Sequence, residues 1–224
     1  MTPIDGYPIL TTAAMRAAEE ACGDAAMLME RAGAAIATAV GRLAGGSAIL
    51  ILCGPGNNGG DGYVAARLLA AAGHAVRVAA DGEPRSALAI AARRGWTGPI
   101  ESLDTALPAP ILVDALFGTG LTRPLDDRTA AALHRLADVA SLRIAIDLPS
   151  GVATDDGAMP TMPPRFDITL ALAAPKPAHL LQPAARRAGM VRVLDIGVPV
   201  AGDAQVLARQ IGRASCRERV SPYV

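Results

Sequence analysis

The residues best able to do chemistry in this chain are carboxylates and amides set just after apolar runs. Asn57, Asn58 and Asp61 follow the run 48–52 within the stretch Cys53-Gly54-Pro55-Gly56-Asn57-Asn58-Gly59-Gly60-Asp61-Gly62. Asp114 interrupts an apolar run and precedes Gly118-Thr119-Gly120. Asp147 ends another and precedes Leu148-Pro149-Ser150-Gly151. Carboxylates in such places suit proton transfer. A set of Asp, Asn and Ser oxygens without His or Cys suits a hard cation better than zinc. A carboxylate in an apolar strand is costly unless partnered. Each Asp alone could be a turn former; three strands ending in the same way weaken that reading.

The elements that must position these groups follow from periodicity. β-type runs fall at 48–52, 75–80, 100–103, 111–115, 143–148, 168–172 and 191–195. Helical patterns lie between several of them, at 63–72, 85–94, 127–138 and 177–188. Two more precede the first strand, one through Met15 and Glu19 capped by Thr11 or Thr12, one over 25–43 closed by Gly45-Gly46. Residues 1–9 read as an extended arm, Met27 and Met29 as core, and Glu30 as solvated face. Alternating strands and helices predict an α/β fold: a three-layer αβα Rossmann-like domain with a mostly parallel central sheet. Ligands in such sheets bind outside the strand C-termini.

Gly54, Gly56 and Gly59 satisfy G-x-G-x-x-G, and Asp81 ends the next strand near where a dinucleotide fold places its ribose-binding acid. An NAD-dependent dehydrogenase is therefore one reading. The loop departs from a plain dinucleotide clasp: Pro55 removes a donor, and Asp61 sets a negative charge where a pyrophosphate would lie. No Lys follows the glycines, which excludes a Walker A loop. The plain alternative is a tight turn with Asp61 as a cap, but five glycines and two amides exceed what a cap requires.

The chain of 224 residues is long enough to bury a large core, and half of it is apolar with few aromatics. Its 21 basic and 21 acidic residues cancel, giving no electrostatic reason to expect nucleic acid or an anionic membrane as partner. Neither a signal peptide nor a run long enough to span a bilayer is legible. Cys22, Cys53 and Cys216 lack metal spacing and read as reduced thiols of a cytoplasmic protein. Lys176, the single lysine, lies between two prolines and reads equally as a crevice residue and as a surface one.

The loop 54–62 resembles the hallmark of the YjeF N-terminal domain family, the NAD(P)H-hydrate epimerases. Leu28-Met29-Glu30-Arg31-Ala32-Gly33, Val113-Asp114-Ala115-Leu116-Phe117-Gly118-Thr119-Gly120-Leu121, Ile146-Asp147-Leu148-Pro149-Ser150-Gly151 and Ala174-Pro175-Lys176-Pro177 agree in the family's order. The resemblance implies conversion of R-NAD(P)HX, hydrated NADH or NADPH, into the S form by inversion at C6. It implies potassium (K+) as the bound ion, with Asn58, Asp114 and Ser150 as ligands. Substrate contacts would come from Asn57, Asn58, Gly59, Gly60 and Asp61, from Gly118, Thr119, Gly120, Leu121, Thr122, Arg123 and Pro124, and from Asp147. Asp147 is the expected acid/base, with Asp61 second. A homodimer is implied, and a third reading is a non-catalytic dimeric scaffold of the same fold.

Residues 1–210 are expected to form the domain. Residues 211–224, beginning Ile211-Gly212-Arg213-Ala214-Ser215-Cys216-Arg217-Glu218-Arg219-Val220, read like the conceptual translation of a sequencing-library adapter, a non-native tail. The resemblance implies that bacterial relatives commonly continue at this point into an ADP-dependent NAD(P)HX dehydratase domain.

Overall fold

β3 (Ile49–Cys53) is wholly buried, and its parallel neighbours β4 (Val76–Ala80) and β6 (Ile111–Ala115) hold it in the middle of a sheet. An apolar run with both faces covered is what such a position selects. The computed structural model describes residues 1–121 and 123–200 and the backbone of 206–209. The tail 211–224, with Cys216, lies outside the described residues, and so does Thr122.

The remaining strands are β1 (Thr2–Pro3), β2 (Pro8–Leu10), β5 (Ile100–Ser102), β7 (Leu142–Ile146), β8 (Ile168–Leu172), β9 (Met190–Leu194) and β10 (Val206–Arg209). The main sheet runs β1-β9-β8-β7-β6-β3-β4-β5. All its pairs are parallel except β1 with β9. Strand order reverses between β3 and β6, the switch point of a doubly wound sheet, where the ends of neighbouring strands open a crevice. The N-terminal arm expected at 1–9 contributes β1 to the edge of this sheet, and β2 pairs antiparallel with β10 in a separate ribbon.

Helices α1 (Thr12–Ala21), α2 (Ala25–Ala44) and α3 (Asn57–Ala71) cover one face, packing on Ile51, Val113, Ile144 and Leu170. α5 (Asp127–Val139) covers the other, on Leu50, Leu112 and Ala145. α4 (Ala87–Gly95) links β4 to β5. Short polar side chains start α1, α2, α4 and α5, whereas the cap of α3 is Gly56. Thr11 accepts from the Ala14 N–H, Asp24 from Met27, Ser86 from Ala89 and Asp126 from Thr129. α2 ends at Gly45, whose φ of 54° is the left-handed cap that glycine takes without strain.

Two expected elements differ. The helix after β3 begins at Asn57 rather than at residue 63, so most of the glycine stretch is helical. Its glycines serve close packing. A Cβ on Gly59 would collide with the Gly54 carbonyl, and one on Gly60 would press on the Met29 side chain. The helix expected at 177–188 is instead two short 3₁₀ turns, Pro177–His179 and Ala184–Arg186. Met27, expected in the core, is exposed, while Met29 is buried.

Candidate active site

Because β3, β6 and β7 are parallel, the segments after Cys53, Ala115 and Ile146 leave the same edge of the sheet. They border a cleft of about 680 Å³, a size suited to a small-molecule ligand. Pro55–Asn58 and Asp61 line it from the β3 side, Leu116–Leu121 from the β6 loop, and Asp147 from the end of β7. α1 and α2 roof it with Arg16, Glu19, Leu28 and Met29. Arg85 and Ser86 stand at the start of α4, where Ser86 Oγ donates to Asn57 Oδ1 at 2.6 Å.

Asp147 is the most constrained of these residues. Its φ is +63°, left-handed backbone that a non-glycine residue adopts only when held there. Its N–H donates to Leu170 O at 2.8 Å. Its carboxylate is ion-paired with the Lys176 ammonium, which also donates to Leu172 O at 2.8 Å. Both side chains are buried. Lys176 therefore belongs to the crevice and not to the surface.

His179 completes this arrangement. The Lys176 backbone N–H donates to His179 Nδ1 at 2.9 Å, which leaves Nε2 carrying the proton and donating to Asp147 O at 2.7 Å. Burial, then the Lys176 charge, pushes the imidazole pKa down to about 4, so the ring is neutral near pH 7. The sequence reading missed His179. The only lysine, a proline after it and a histidine three residues on are visible in the sequence, but that spacing does not place the ring against Asp147.

Asp61 faces the same cleft and is 8% exposed, yet its carboxyl has no hydrogen bond or ion pair among the described residues. Burial, then the charges of Asp147 and Glu19, raise its pKa well above the ordinary carboxylate range, against the pull of Lys176. Two carboxyls of one cleft thus sit in opposite settings, Asp147 against a cation and Asp61 unpartnered.

Asn58 Nδ2 donates to Ile146 O at 3.4 Å. A Cβ on Gly118 would lie 3.2 Å from both Asn58 Oδ1 and Asp147 Oδ2, so glycine there keeps the space between those groups open. Thr119, Gly120 and Leu121 line the cleft, whereas Arg123 and Pro124 are exposed and stand outside its lining. Gly59 and Gly60 are buried behind it.

Asp114 and Ser150 lie beneath the cleft, fully buried. Ser150 donates to Asp114 through both its N–H, at 2.9 Å, and its hydroxyl, at 2.7 Å. Leu116 N–H donates to the same carboxylate at 3.1 Å, and Phe117 N–H to Ser150 Oγ at 3.0 Å. The pair thereby sets the backbone of the β6 loop. Burial raises the Asp114 pKa to about 6 against these hydrogen bonds. No basic side chain pairs with it among the described residues. Among the described residues, no group of three or more His, Cys, Asp or Glu side chains could hold a metal ion.

Asp81, weighed as a ribose-binding acid, is committed elsewhere. Asp81 accepts from Arg128 at 3.0 Å and stands outside the cleft lining, so its carboxylate is already paired. Cys53 is buried in β3, where burial raises its thiol pKa, which does not suit a nucleophile. No helix among the described residues is long and apolar enough to cross a membrane.

The family model described as "YjeF-related protein N-terminus" matches residues 25–178. The chain is 40% identical over 185 residues to the NAD(P)H-hydrate epimerase of Rhodopirellula baltica, covering 78% of this chain and 76% of that protein. It is 39% identical over 188 residues to the bifunctional NAD(P)H-hydrate repair enzyme Nnr of Pyrobaculum aerophilum, covering 77% of this chain and only 38% of that one. The chain thus spans well under half the length of the bifunctional relative. A crystal structure of the yeast protein ynu0 superposes with a TM-score of 0.69 at 22% identity, over 83% of this chain and 86% of that one.

Proposed function

The chain belongs to the family of YjeF-related protein N-termini, and from that premise we propose that it is an isomerase, an NAD(P)H-hydrate epimerase. The observation that carries this reading is Asp147: a buried carboxylate, held in left-handed backbone and facing an open cleft beside Asn58 and Gly118. Epimerisation at C6 of hydrated nicotinamide needs one group that removes and returns a proton, and no net redox change. Asp147 is that acid/base, with Asp61 across the same cleft as the second candidate. Asn57, Asn58 and the loop from Gly118 to Leu121 are the proposed substrate contacts; the reading extends to Gly59, Gly60, Thr122, Arg123 and Pro124.

A cation fits the buried oxygens. Asp114 carries a charge with no basic partner among the described residues, and it is hydrogen-bonded to the Ser150 hydroxyl. These three residues would hold a potassium ion, which would neutralise Asp114 and fix the β6 loop. The proposal also takes in a cytoplasmic homodimer of the domain 1–210, natively fused to an ADP-dependent dehydratase domain. Incubation with R-NADHX, followed by chromatographic separation of the epimers, tests the activity. An unchanged rate of approach to equilibrium removes the epimerase claim.

A further inference from the structure

The chain has twenty arginines and one lysine, and that lysine is 1% exposed, lining the cleft. An ammonium carries three N–H donors. Two of those of Lys176 are taken, by Asp147 Oδ1 and by Leu172 O. The third has no partner among the described residues. A buried, unsatisfied donor on a charged group is expensive unless a ligand supplies the acceptor. The same ion pair engages Asp147 Oδ1 and leaves Oδ2, on the Gly118 side, as the acceptor for a substrate hydroxyl.

We infer, resting on the epimerase reading, that inversion proceeds by opening and reclosing the ring, with the third Lys176 N–H bonded to the C6 oxygen of the R epimer as the ring opens. Asp147 takes the proton of the C6 hydroxyl, and an oxygen lone pair forms C6=O. The C6–N1 bond breaks, its electron pair stays on N1, and Asp147 passes the proton to N1. N1 is a competent leaving group because it is conjugated with the carboxamide-bearing double bond of the ring. Rotation about C5–C6 turns the other carbonyl face toward N1. Asp147 then takes the N1 proton, the nitrogen pair re-forms C6–N1, and the proton returns to the oxygen. No water is consumed or released, and the original oxygen remains on C6. Loss and re-addition of the hydroxyl would instead bring in a solvent oxygen.

The test is epimerisation of R-NADHX by the wild-type protein in ¹⁸O-enriched water, with the mass of the S product read after chromatography and the uncatalysed exchange subtracted. The expected S epimer carries no solvent oxygen. Incorporation of one solvent oxygen per inversion overturns ring opening while leaving the epimerase reading intact; absence of any conversion removes both. The Lys176 contact is tested with Lys176→Met. A folded variant should lose on the order of a hundredfold or more in kcat, with KM little changed, and Lys176→Arg should recover part of the loss. A kcat equal to that of the wild type overturns the contact. The isotope result is read on the wild type, so it stands whether or not the variant folds.

Discussion

His179 Nε2 donates to the carbonyl of Asp147 at 2.7 Å, so a neutral imidazole fixes the backbone of a left-handed aspartate. Its other nitrogen accepts from the N–H of Lys176, the residue whose ammonium holds the Asp147 carboxylate. One ring therefore tethers both members of the ion pair.

This tether makes His179 pH-sensitive. The unfolded chain binds a proton on this ring near the ordinary value of 6.5, while the folded protein waits until about 4. Between those values the unfolded state holds more protons, so His179 lowers stability as pH falls from 6.5 to 4. Asp114 acts in the opposite sense, because the fold takes its proton at about 6 and the unfolded chain nearer 3.8. His179→Gln isolates the first effect. The variant should be less stable near pH 7 by roughly 1–3 kcal/mol, and its deficit should narrow as pH falls toward 4. Urea melts across pH check this; a deficit that does not change with pH contradicts a buried neutral ring.

Asp147→Asn should abolish epimerisation and also weaken the fold. Asparagine tolerates left-handed backbone, but the change leaves the buried Lys176 ammonium unpaired, which typically costs about 3–5 kcal/mol. Adding Lys176→Met should restore much of the melting temperature and none of the activity. Activity in a folded Asp147→Asn protein would transfer the acid/base role to Asp61.

Much of this site was legible because its carboxylates interrupt apolar runs. Asp61, Asp114 and Asp147 each follow or break a strand, and the parallel order brings those strand ends together. The positions of Lys176 and His179 were not legible. They depend on two 3₁₀ turns where composition suggested a helix, and on a fold-back that no local pattern encodes. The extent of α3 was misread for a related reason. Glycines signal turns in sequence, yet here they let a helix lie against the Gly54 backbone and the Met29 side chain.

Gly59→Ala tests that packing. The added methyl would meet the Gly54 carbonyl, backbone that cannot swing aside. Alanine raises intrinsic helix propensity by about 1 kcal/mol, so propensity alone predicts a stabilised protein. The expected outcome is a lower melting temperature; an unchanged or higher one contradicts the close contact.

Potassium should stabilise the wild-type protein through Asp114 and Ser150. Thermal melts with rising potassium chloride, matched in ionic strength with a bulky organic cation, should climb in the wild type and stay flat in Asp114→Asn. A melting temperature independent of potassium in the wild type contradicts the assignment of these oxygens to a cation.

Inversion at C6 without redox chemistry is measured from both directions. Pure R-NADHX and pure S-NADHX are each incubated with the protein, and both epimers are followed by chromatography beside an enzyme-free control. Both samples should converge on one mixture far faster than the control, with total NADHX conserved and no NAD or NADH formed. Convergence at the control rate, or loss of NADHX to an oxidised or reduced nicotinamide, would contradict it.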